Sequence, residues 1–76
     1  MSERLDAAAQ LYDEVATELD RAAAHARTAA RHLRDENVPR GAAHAWSIQG
    51  HVRGVQAKLD EQARDHARHS IPAYEP

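Results

Sequence analysis

The sequence predicts an all-α fold: an antiparallel two-helix hairpin with Ala-rich coiled-coil packing, dimerising into a four-helix bundle. Three observations carry that expectation. Apolar residues recur at alternating spacings of three and four over most of the chain, the signature of helices that pack along a seam. One interruption, at Asn37–Gly41, contains both Pro39 and Gly41 and divides the chain into nearly equal halves. Ala supplies 17 of the 76 residues and Phe none, so neighbouring helices are able to approach closely but have few large side chains to bury.

The first helix is expected over residues 3–36. Ser2 is a good N-cap, and Glu3 and Asp6 follow in the first turn, where the helix dipole favours acids. In heptad notation Leu5, Tyr12, Leu19, Ala26 and Leu33 form column a, and Ala8, Val15, Ala22 and Ala29 form column d. Column e is wholly Ala: residues 9, 16, 23 and 30. The a and d columns are expected to face the second helix, leaving Gln10, Glu14, Thr17, Arg21, Thr28 and Arg31 in solvent.

A turn at 37–39 follows. Val38 precedes Pro39 and is therefore disfavoured in helical geometry, whereas Pro39 suits a first helical turn. The second helix is expected over 39–69, ending before Pro72, with 70–76 as a tail. Ala45, Ile48, Val52, Val55 and Leu59 make its inward stripe, extended by Gln62 and His66. So short a connection makes the helices antiparallel neighbours. The whole chain, residues 1–76, reads as one domain.

Helix 2 carries another set of small and apolar residues, Ala43, Trp46, Gly50, Gly54 and Ala57, roughly opposite the inward stripe. Each interior Gly costs about 1 kcal/mol relative to Ala. Close approach of a second backbone offsets such a cost, so this face is the expected homodimer interface, with a heterologous protein as the other occupant it would suit. A chain this short ordinarily needs disulfides, a metal or oligomerisation to complete its core. With no Cys, the first is excluded.

Charge is polarised. Six acids against Arg4 fill residues 1–20, and six Arg against Asp35 and Glu36 fill residues 21–53, although the net charge is only −2. In a hairpin the turn end is basic and the open end acidic, a polarity able to align partners. No apolar run reaches the roughly 20 residues of a membrane span, and Met1–Asp6 has no signal-peptide core. A cytoplasmic location is the expectation.

Six histidines are the most unusual feature. His25 and His32 lie seven apart in helix 1, and His44 and His51 lie seven apart in helix 2. Antiparallel register pairs His25 with His51 and His32 with His44, in layers about 10 Å apart. Each pair offers two imidazoles to Zn²⁺, Ni²⁺ or Cu²⁺, with further ligands from water or a second subunit. Alternatively the rings fill the helix flank, or sense pH by mutual repulsion once protonated. His66 and His69, one turn apart near the end of helix 2, are a weaker candidate pair.

No Glu-x-x-His, His-Glu-x-x-His, phosphate-binding loop or Gly-x-Ser-x-Gly occurs, so no catalytic residue is assigned and the chain reads as non-enzymatic, with no resident cofactor. The segment Ile48-Gln49-Gly50-His51-Val52-Arg53-Gly54-Val55 resembles the helix-opening segment of the copper- and nickel-responsive all-helical repressors. That resemblance implies a helical, oligomeric regulator, but it spans eight residues, lacks that family's Cys ligand and assigns no residue a role. The leading expectation is a structural or protein-interaction module that homodimerises. Behind it stand a His-based metal- or pH-responsive protein and a small nucleic-acid-associated regulator. Nucleic acid is the least expected partner, since Arg27, Arg31, Arg34, Arg40 and Arg53 cluster at one end rather than in a stripe.

Overall fold

A computed structural model describes residues 2–69, and the expected tail at 70–76 lies outside them. Helix α1 spans Glu3–Arg34 and helix α2 spans Val38–His69, packed against each other as a hairpin. The N-terminal end of α1 is capped as its residues dictate. The Arg4 backbone N–H donates to Ser2 Oγ at 3.2 Å, satisfying one of the free donors of the first turn.

The turn occupies residues 35–37, two residues earlier than the expected 37–39, because α1 ends at Arg34 instead of 36. The Glu36 N–H donates to the Leu33 carbonyl at 3.0 Å and the Asn37 N–H to the His32 carbonyl at 2.7 Å, the paired bonds of a Schellman ending. That motif needs a left-handed residue, and Glu36 fills the role with φ 61° instead of the usual Gly. Asn37 then caps α2, its Oδ1 accepting from the Arg40 N–H at 3.3 Å. This cap draws Val38 into the helix, one residue ahead of Pro39.

Gly41 sits buried inside α2. A Cβ there would lie 2.8 Å from Leu33 Cδ2 and 2.9 Å from Cγ, so a side chain at this position would have to displace that of Leu33.

The buried core is thin. Among the described residues Leu11, Val15, Ala22, Ala29 and Val55 are its apolar members, with Leu11, Val15 and Val55 in mutual contact. Column d therefore faces α2 as expected, but column a does not. Leu5, Tyr12, Leu19 and Leu33 are half exposed, at 49–59%. The seam on α1 is made of columns d and g, that is Val15, Ala22 and Ala29 beside Leu11, Glu18, His25 and His32. Likewise Ile48, Val55 and Gln62 of α2 turn inward, while Ala45, Val52, Leu59 and His66 are exposed. A helix whose apolar columns are a, d and e is apolar toward a direction about 80° from the side, between columns d and g, that meets its hairpin mate.

Candidate functional site

The seam divides the hairpin into two unlike broad faces. One carries Glu18, His25 and His32 of α1 with His44, His51, Lys58 and Asp65 of α2, all of them polar. His32 stacks on His44 with ring centroids 5.5 Å apart, and His25 stacks on His51 at 5.3 Å. Both stacks match the expected pairing. The register rule did not foresee that His25 also reaches His44, with Nδ1 atoms 2.9 Å apart and centroids at 5.2 Å. The four rings thus form one continuous row, not two separate layers.

The row ends on a carboxylate. His51 Nδ1 donates to Glu18 Oε2 at 2.6 Å, and Arg21 Nη1 adds a contact to Glu18 Oε1 at 3.4 Å. At the open end Arg4 Nε donates to Asp65 Oδ2 at 3.1 Å. The His51 hydrogen bond, aided by the charges of His51, Arg21 and Lys58, holds the Glu18 carboxyl below its ordinary pKa against the opposing effect of burial. Desolvation lowers the pKa of His44, and neighbouring His25, His32, Arg31 and Arg40 lower it further. Burial raises Asp65, but the charge and hydrogen bond of Arg4, with His69 and Arg68, outweigh it and leave that carboxyl lowered.

Adjacent Nδ1 atoms at 2.9 Å define what the pair is able to do. With one proton between them, one ring donates and the other accepts. When both are protonated, two N–H groups face each other and the bond is lost. As a metal centre the row is poor. Among the described residues no group of three or more His, Asp or Glu side chains is arranged to hold an ion, and no buried side-chain nitrogen or oxygen lacks a partner. His69 is tied to its own helix, its Nδ1 meeting the Asp65 carbonyl at 2.8 Å, whereas His66 lines a shallow depression with Tyr12 and Leu59.

That depression also takes in Arg4 and Asp65, and beside it lies the second face, which is apolar. Column a of α1 and the Ala45–Val52–Leu59 column of α2 lie side by side there, adjoining the apolar half of the seam and away from His25, His32, His44 and His51. Beyond them the border is small and uncharged: the Ala column e on α1, and Ala42, Gln49, Gln56 and Ala63 on α2.

The expected interface on α2 lies elsewhere again. Ala43, Trp46, Gly50 and Ala57 are exposed, Trp46 at 73%, on the outer side of the helix. Gly54 is half-buried beside Glu18, where a Cβ would rest at an ordinary 3.7 Å from Oε2; at Gly50 a Cβ would meet nothing within 4 Å. Packing inside the hairpin therefore explains Gly41 but neither Gly50 nor Gly54. The arginines of the turn end do not converge on one surface: Arg27, Arg31 and Arg34 line a depression on α1, and Arg53 lines another on α2 beside Trp46.

No helix among the described residues is long and apolar enough to cross a membrane. Comparison with protein-family models, curated proteins and solved structures yields no match. The short resemblance of residues 48–55 to the metal-responsive repressors thus stands without support, and the reading of this chain rests on its own geometry.

Proposed function

We propose that the chain is a non-enzymatic interaction module whose hairpin is half of a four-helix bundle, completed by a second copy. One observation carries this reading. Six large apolar side chains, Leu5, Tyr12, Leu19, Leu33, Val52 and Leu59, are 40–59% exposed, all on one broad face. Exposed apolar surface of that extent and continuity marks an interaction site. The dimensions agree. The chain exposes 6063 Å², more than about 1,000 Å² above the roughly 4,600 Å² of a compact monomer of its mass. A standard interface covers about 800 Å² on each partner.

The test is the mass in solution, by light scattering on a size-exclusion column or by sedimentation equilibrium. Twice the 8.4 kDa chain mass at micromolar concentration is the expected result. A folded species of single-chain mass sinks the proposal and leaves the apolar face for a different protein.

A second reading is favoured by the histidine row, in which four imidazoles in contact make closure of the hairpin sensitive to protons. It is compatible with the first, because the row and the apolar face lie on opposite sides of the molecule. The row is better suited to protons than to metal, since it brings donor atoms together in pairs only.

A further inference from the structure

From the apolar face we infer that the two copies pair head to tail, α1 against α1 of the partner and α2 against α2 of the partner, about a two-fold axis level with Leu19 and Val52. This rests on the homodimer proposed above and adds its geometry.

Three columns of α1 become self-complementary about centres that lie within one residue of each other. When two copies of a helix pack antiparallel, facing residue numbers add to a constant. Centring column a on Leu19 sets Leu5 opposite Leu33 and Tyr12, its largest member, opposite Ala26, its smallest. Large against small across facing positions is how layers interdigitate without voids. A centre half a residue further along sets Ala9 opposite Ala30 and Ala16 opposite Ala23, so the Ala column closes on itself and lets the two helices approach. At the rim a centre at residue 20 sets Asp6 opposite Arg34 and Asp13 opposite Arg27. This column changes sign at its midpoint, as head-to-tail pairing requires.

Helix α2 repeats the pattern independently. Centring its exposed column on Val52 sets Ala45 opposite Leu59, small against large once more, and the flanking column sets Ala42 opposite Ala63 and Gln49 opposite Gln56. The two centres must share one height if a single axis generates both; the cross-helix contacts place Leu19 between the levels of residues 50 and 57, a span that includes Val52. Glu18 meets His51 at 2.6 Å and lies 3.7 Å from the Cβ position of Gly54.

The competing arrangement, both turns at one end with α1 against α2 of the partner, is worse on each count. It sets Ala26 opposite Ala45 and Tyr12 opposite Leu59, leaving a gap in one layer and crowding in another. It also brings the two acidic open ends together and the two basic turn ends together. Head-to-tail pairing has one cost in each helix: Asp20 and Arg53 each meet their own copy near the axis.

The experiment uses the full chain carrying Asp35→Cys, a position at the turn, spin-labelled and measured by double electron–electron resonance. Head-to-tail pairing places the labels about 45 Å apart, from some 15 residues on either side of the axis at 1.5 Å each. A separation of about 25 Å or less in a species of dimer mass overturns the head-to-tail geometry while leaving the homodimer standing. A single-chain mass overturns both. Leu19→Asp, at a position already half exposed in the hairpin, is expected to weaken the dimer at least 100-fold, and Asp20→Asn to tighten it several-fold. A dimer indifferent to Leu19→Asp yet broken by Gly50→Leu with Gly54→Leu overturns the choice of face and moves the interface to the outer side of α2.

Discussion

Replacing Gly50 and Gly54 together by Ala measures whether the outer side of α2 is free. Neither position adopts positive φ, so Ala fits both backbones. Space is available, with nothing within 4 Å of a Cβ at 50 and only Glu18 Oε2 at 3.7 Å from one at 54. In a helix interior each Gly→Ala change then gains about 0.8–1.0 kcal/mol. With no shared partner the two gains add, to nearly 2 kcal/mol. For a domain of this size 1 kcal/mol corresponds to roughly 4–8 °C in Tm, so the double variant is expected to melt about 8–16 °C higher. Circular dichroism melts at several protein concentrations, compared with the parent at each, supply the measurement. A fall in Tm, or a gain that vanishes as concentration rises, refutes the reasoning, because added methyl groups would then be obstructing another backbone.

The turn offers a second test: Glu36→Gly relieves the left-handed backbone and is expected to stabilise the hairpin by about 1 kcal/mol, read by urea unfolding. Asn37→Ala removes the side-chain acceptor for the Arg40 N–H and should cost about 1 kcal/mol in the same assay. Acidification should destabilise the fold. His44 is lowered from 6.5, so just below pH 6.5 the unfolded chain takes up a proton that the folded chain resists, and stability falls with pH through that window. Glu18 and Asp65, lowered from 4.5 and 3.8, act in the same sense further down, their contribution present above those values and lost as pH falls through the folded ones. A Tm profile flat from pH 7 to pH 4 contradicts this, and His44→Gln should flatten the limb below pH 6.5 while sparing the carboxylate limb.

The hairpin itself was legible because its signals are local and redundant. Heptad spacing, the Ser2 cap and the Asn37–Pro39 break each point to the same two helices. Which side of α1 meets α2 was not. Three adjacent apolar columns span too wide an arc for one neighbour, and the pattern alone does not say whether the hairpin mate sits at the a edge or the g edge. Leu11, a buried core residue, was missed because its column otherwise holds the polar Arg4, Glu18, His25 and His32 and so shows no apolar repeat. The two histidine stacks followed from register, since facing positions are fixed by residue number. The His25–His44 contact did not, because an imidazole reaches a full turn along the seam and register pairs only residues at one level. At Glu36 the left-handed backbone had no sequence signal, for Glu is not a residue that seeks it.

The thin core inside the hairpin has a consequence for how such a protein behaves in a cell. Five small or medium apolar side chains, three of them in mutual contact, leave a lone hairpin little to hold it closed. When the second copy supplies the rest, folding and association become a single equilibrium, and the folded fraction depends on how much chain is present. Dilution then acts as a denaturant. Surplus above the dissociation constant persists, while scarce chains open and become substrates for proteolysis, so the abundance of the protein would set its own lifetime.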